Sequence, residues 1–132
     1  MEKMQLEDDC YCFACGPENP DGLRLKWEVD GLTTSTQFTS DRKYQGWKGI
    51  VHGGIIATLL DEAMTRLAGV VYGTAVTAEM TVRFVAPAKV GELLFVRGEI
   101  IGKRRTLIEM KATIHSSSSL IAHSTGKAII KK

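Results

Sequence analysis

One stretch with helical periodicity, residues 51–69, stands among segments that alternate apolar and polar side chains, and that imbalance constrains the fold most. A lone helix cannot supply the crossovers of a βαβ array, so the strands must wrap around it. Wound at about 100° per residue, Ile56, Leu59, Leu60, Ala63 and Leu67 line up as a core stripe. Gly54, Ala57, Thr58, Thr65 and Ala68 fall on the opposite side, with Asp61 at the centre of that small-residue face. Glu62 and Arg66 lie between the two stripes at i,i+4, the spacing of a solvated ion pair.

The flanking segments predict strands. Leu23, Leu25, Trp27 and Val29 alternate with charged residues, Gly31 reverses the chain, and residues 32–40 return. A glycine-punctuated approach, 41–51, delivers the chain to the helix, which is expected to end between Gly69 and Gly73. Ala78, Met80, Val82 and Phe84 form one face of the next strand, which stops before Pro87. This alternation leaves Thr77 facing outward with Glu79, Thr81 and Arg83. Leu94, Val96 and Ile100 mark a further strand, a tight turn is expected over residues 102–105, and Ile108, Met110, Ala112 and Ile114 follow on one face. After Ser116–Ser119, Leu120, Ala122, Ala128 and Ile130 predict the last strand. Short connections force antiparallel neighbours. The expectation is one α+β domain over residues 1–132, an antiparallel sheet around one long helix, with residues 1–9 loose.

Composition removes several function classes. Apolar residues make up 44% and charged residues 24% of the 132, the balance of a globular chain rather than a disordered one. The net charge of +2, clustered only at Lys103-Arg104-Arg105 and Lys131-Lys132, is too small for a nucleic-acid partner. No apolar run approaches the roughly 20 residues of a membrane span, and Met1-Glu2-Lys3 opens no signal peptide, so a cytoplasmic protein without a membrane partner is expected. Cys12-x-x-Cys15 is half of a zinc ribbon without its second pair. A four-ligand site would need Cys10 and a distant histidine, so reduced structural thiols are the simpler reading, with no metal expected.

Candidate chemistry gathers on the helix. Gly53 and Gly54 leave backbone N–H groups unshielded at its positive end, where an oxyanion can bind. Asp61 is either an ordinary surface carboxylate or a group held against a second surface, because small neighbours let another backbone approach. His52 can be a base or a cap and hydrogen-bond anchor for the helix start, the second role leaving the proton work to Asp61. Lys103, Arg104 and Arg105 read as a solvated hairpin tip or as a contact for phosphates. Gly53 and Asp61 are eight residues apart, roughly 12 Å along a helix, too far for both to serve one reacting carbon. A two-fold dimer packing the small-residue faces antiparallel would bring Asp61 of one chain to Gly53 of the other.

Val51-His52-Gly53-Gly54, with Asp61 nine residues after the histidine, Thr77-Ala78-Glu79-Met80, and Ala86-Pro87-Ala88-Lys89-Val90-Gly91, resembles the hotdog-fold acyl-CoA thioesterases of the phenylacetate-degradation type. Cys12-Phe13-Ala14-Cys15-Gly16 with Asn19-Pro20-x-Gly22-Leu23 is similar to one branch of that group. The resemblance implies a hotdog fold, assembly as a homodimer or dimer of dimers with active sites at the subunit interface, and acyl-CoA hydrolysis without metal or organic cofactor. It also implies that Asp61 is nucleophile or general base, that the Gly53 amide holds the thioester oxygen beside Gly54, and that Thr77 assists the water. Some relatives place an asparagine six residues before the histidine; Gly46 stands there in this chain, with Gln45 beside it as a replacement donor. The alternative is a non-hydrolytic hotdog protein, a dehydratase-like enzyme or an acyl-CoA-binding module.

Overall fold

A computed structural model describes residues 5–131. Its six strands form one antiparallel sheet: β1 (Glu28–Asp30), β2 (Thr33–Thr39), β3 (Ala75–Phe84), β4 (Leu93–Arg104), β5 (Leu107–His115) and β6 (Leu120–Ile130), in spatial order β1-β2-β4-β5-β6-β3. The central helix is continuous in three parts: α1 (Gly53–Asp61), a π-helical turn (Glu62–Arg66) and α2 (Leu67–Tyr72). Gly73, at φ 98°, stops it in a conformation that side chains oppose. This is the hotdog architecture, a sheet curled around one long helix.

The core lies between the helix and the sheet's concave face. Leu94, Val96, Ile108, Met110, Ile114 and Ala122 alternate inward and are essentially fully buried, as are Leu59, Leu60 and Leu67 of the helix. Burying each of those leucines contributes about 1.5–3 kcal/mol. Two strand glycines set how closely the helix can approach. A Cβ at Gly98 would collide with the backbone carbonyl of Ala63, and one at Gly126 would lie 3.0 Å from Met64 Cε. The π-turn therefore rests almost on the β4 backbone.

That turn alters the expected helix faces. A π-turn accommodates an additional residue, so positions beyond it rotate relative to an unbroken α-helix. Met64 and Ala68 consequently enter the core at 0% exposure, although Ala68 was expected on the small-residue face with Asp61. The same change removes the i,i+4 geometry of Glu62 and Arg66, and no ion pair joins them among the described residues.

Other elements depart from the alternation pattern. Residues 23–27 do not form a strand. Their backbone is instead tied to the amino-terminal segment, Leu23 N–H donating to Phe13 C=O at 2.7 Å and Leu25 N–H to Ala14 C=O at 3.0 Å. The β4–β5 turn falls at Arg105 and Thr106, centred two residues later than expected, and β4 carries a bulge between Ile100 and Gly102. The expectation of loose residues at the amino terminus falls, for 1–4, outside the described residues; residues 5–9 are exposed and irregular. No helix among the described residues is long and apolar enough to cross a membrane.

Candidate active site

The carboxylate of Asp61 meets two hydroxyls. Thr77 Oγ1 donates to Asp61 Oδ1 at 2.6 Å, Thr65 Oγ1 lies 3.2 Å from the same oxygen, and the two threonine oxygens are 2.7 Å apart. Each hydroxyl has one proton, so the shortest contacts make a relay in which Thr65 donates to Thr77 and Thr77 to Asp61. Both contacts use Oδ1, which leaves Oδ2 without a partner among the described residues.

Thr77 reaches Asp61 because β3 carries a bulge. Its pairing with β6 shifts between Thr77 and Glu79, Thr77 opposing Ala128 and Glu79 opposing Lys127. The extra residue, Ala78, reverses the alternation, so Thr77 shares the helix-facing side with Met80 and Val82 instead of lying on the outer face. Strict alternation hid this. Thr65 was missed as a partner of Asp61, although it stands four residues later, within side-chain reach in the π-turn.

The helix start is organised differently. His52 Nδ1 accepts from Gly54 N–H at 2.8 Å, so the imidazole caps the helix and its remaining proton sits on Nε2. A Cβ on Gly54 would lie 3.0 Å from that nitrogen, so glycine lets the ring fold over the helix end. The Gly54 N–H is thereby engaged, whereas the Gly53 N–H has no partner among the described residues. Gly53 opens onto a groove of about 690 Å³ lined by Trp47, His52, Phe84, Val85, Pro87 and Ile121. Trp47 is 87% exposed at its rim.

The remaining candidates lie apart. Gln45 Oε1 accepts from Gly49 N–H at 3.1 Å and so is bound within its own loop. A Cβ at Gly46 would touch His52 Cα and Cδ2 at 3.4 Å, so a larger residue there would press on the capping histidine. Lys103 Nζ sits 5.5 Å from the centre of the Tyr72 ring, at the helix end remote from Gly53. Arg104 and Arg105 are exposed beside it. Asp61 does not line the Gly53 groove, and α-helical rise separates the two by roughly 12 Å within one chain.

Glu62 is not the solvated residue its position suggested. Burial pushes its carboxyl above the ordinary range and the neighbouring Asp61 adds to this, while a hydrogen bond from the Cys15 thiol and the charge of Arg66 act the other way. Burial and the Glu62 carboxylate in turn push the Cys15 thiol up to about 12.

The family model of the thioesterase superfamily matches residues 48–122, more than half of the chain. The chain belongs to that superfamily. The matched span holds the end of the approach loop, the helix, β3 with its threonine, β4, β5 and the start of β6. A comparison with curated protein sequences gives no match. Among solved structures, the superfamily fold recurs in smu.793 from Streptococcus mutans UA159 bound to acetyl CoA, at 21% identity over 80% of this chain and 87% of that one, with a TM-score of 0.74. Zebra fish thioesterase superfamily member 2 is 19% identical over 88% of this chain and 89% of its own, at a TM-score of 0.76. A phenylacetic acid degradation-related protein from Ralstonia eutropha JMP134 is 18% identical over 82% and 86% respectively, at 0.75. At these identities the likeness is one of fold.

Proposed function

We propose that the protein hydrolyses acyl-CoA thioesters to the free acid and coenzyme A, in sites each built by two chains. The observation that carries this reading is the Asp61 carboxylate, oriented through Oδ1 by Thr77 and Thr65 while Oδ2 stays open. In this reading Oδ2 takes a proton from water as the water oxygen bonds to the thioester carbon. The partner's free Gly53 N–H, at the positive end of its helix, receives the oxyanion that forms. Collapse re-forms the C=O, breaks the C–S bond and expels the coenzyme A thiolate, which recovers a proton. The Asp61 carboxylate can alternatively attack the carbon itself, forming an anhydride that water then cleaves.

The placement of the two groups on a single chain supports a shared site. Asp61 and Gly53 face different parts of the surface of one chain, and the ten-residue β3, which carries Thr77, is a sheet edge open to pairing. His52 is a positioning residue here, since its Nδ1 lone pair already holds the helix cap. Substrate phosphates would meet Arg104 and Arg105 beside Lys103, which lies over Tyr72, eleven helical residues beyond Asp61 or roughly 16 Å along the axis. That the S. mutans structure contains acetyl CoA supports this substrate class. Thiol release from a panel of acyl-CoAs, read with a thiol reagent, tests the proposal. Release by the wild type that falls at least about 100-fold in Asp61→Asn is expected. Tight acyl-CoA binding without release would instead favour a binding module.

A further inference from the structure

Glu62, next to Asp61 at the start of the π-turn, meets a second group of side chains outside the Asp61 relay. One ligand atom from each of Cys12, Cys15 and Glu62 lies within 4.8 Å of the others. We propose that these three residues bind a thiophilic divalent cation, zinc foremost, that fastens the amino-terminal segment to the central helix.

The spacing fits. Zinc bound to two thiolates at about 2.3 Å in a tetrahedral arrangement holds the sulfurs about 3.8 Å apart, which is compatible with ligand atoms that all lie within 4.8 Å of one another. The loop carrying the cysteines is wound for such a grip. Gly16 N–H donates to Cys12 C=O at 2.8 Å, closing a tight turn around Cys12–Cys15. A Cβ on Gly16 would strike the backbone of both Cys12 and Cys10, so this turn excludes a side chain after the second cysteine. Ala14 between them is 1% exposed, and the carbonyls of Phe13 and Ala14 hold Leu23 and Leu25. Both thiols are thus aimed by a loop anchored on each side.

Charge points the same way. Two thiols and a carboxylate converge with Asp61 next in sequence, and Arg66, whose charge favours the Glu62 carboxylate, does not reach it as a close ion pair. Glu62 Oε2 is buried with no hydrogen-bond partner. A buried, unpaired carboxylate oxygen is costly, and a cation at the centre of the three ligands would satisfy it. Binding would displace the two thiol protons to solvent, leaving two thiolates and one carboxylate on the metal and a fourth position for water. The distant ligand required by the cysteine pair is therefore a glutamate on the helix; Cys10, exposed and at φ 65°, lies outside the group.

The full chain, reduced with a phosphine and freed of metal by a chelator, is titrated with Co²⁺ and then Zn²⁺. The expected result is one Co²⁺ per chain, with tetrahedral ligand-field bands and thiolate-to-cobalt charge transfer that zinc abolishes. Cys12→Ser and Cys15→Ser should weaken zinc binding by about 100-fold or more, Glu62→Gln by about 10- to 100-fold, and Cys10→Ser should leave it unchanged. Should the cysteine variants fail to fold, the wild type remains informative: zinc should slow alkylation of Cys12 and Cys15 but not of Cys10, as read by mass spectrometry. A cobalt spectrum without thiolate charge transfer, or equal alkylation of all three thiols with and without zinc, would overturn the proposal. Neither readout depends on thioester hydrolysis.

Discussion

Gly98→Ala isolates the contact on which the helix geometry rests. The added methyl would enter the space of the Ala63 carbonyl, a backbone group inside the π-turn that cannot move without its helix. Overpacking of a tight core costs about 1–3 kcal/mol, and a rigid backbone opponent places this case at or above the upper end. Two other strand glycines calibrate the effect. At Gly126 the methyl would lie 3.0 Å from Met64 Cε, the mobile end of a flexible side chain, and 3.3 Å from Glu79 C=O, so about 1 kcal/mol is expected. At Gly102 it meets nothing within 4 Å, and removing glycine's extra chain entropy should stabilise by about 0.5 kcal/mol. For a chain of this length 1 kcal/mol shifts Tm by roughly 3–5 °C, so Gly98→Ala should melt some 10 °C below the wild type and Gly102→Ala slightly above it. Calorimetry at one fixed protein concentration measures the series, since association would make Tm concentration-dependent. If Gly98→Ala and Gly102→Ala melted within a degree of each other, the close approach of the π-turn to β4 would be wrong.

Four further outcomes follow from the candidate site. Asp61→Asn should retain the wild-type melting profile while losing most of kcat, and parallel loss of both would make Asp61 a structural residue. Thr77→Ala should lower kcat by about 10- to 100-fold with Thr77→Ser restoring most of it, whereas an unchanged kcat would remove Thr77 from the relay. Asp61→Ala and a Gly53 variant that fills the groove, each inactive alone, should regain roughly a quarter of wild-type activity when refolded together, because half of the randomly paired dimers are mixed and hold one intact site; a mixture that stays inactive would place both groups within one chain. Replacing Arg104 and Arg105 by glutamine should raise KM for acyl-CoA more than for a pantetheine thioester, and equal effects on the two substrates would exclude phosphate contact.

The sequence was most informative where side-chain periodicity and backbone periodicity coincide. Ile56, Leu59, Leu60, Ala63 and Leu67 all lie in the core as the 100° winding requires, and Ile108, Met110, Ala112 and Ile114 share the concave face as alternation requires. Errors arose where the backbone gains a residue. The π-turn carried Ala68 inward, and the bulge at Ala78 turned Thr77 toward the helix. Neither event has a local composition signal. The π-turn depends on Gly98, more than thirty residues away, and the bulge is defined only by the register of β3 against β6. The strand-like run at 23–27 shows the opposite limit: its alternation is genuine, yet its backbone N–H groups go to the Phe13–Ala14 loop, and β2 reaches it through the Thr36 hydroxyl on Lys26 C=O rather than through a backbone ladder. The partner of the cysteine pair was hidden for a related reason, since a glutamate one position after Asp61 looked like half of an i,i+4 pair until the π-turn separated it from Arg66.

The kink in β3 also bears on solubility. A ten-residue sheet edge invites any extended peptide to add itself as another strand. At Ala78 the evenly spaced row of backbone donors and acceptors is interrupted, and Glu79 and Arg83 place charges along the remainder. A regular foreign strand would lose register after a few residues and would have to bury those charges against whatever it carried opposite. The residue that turns Thr77 toward Asp61 therefore also guards the edge against indiscriminate aggregation.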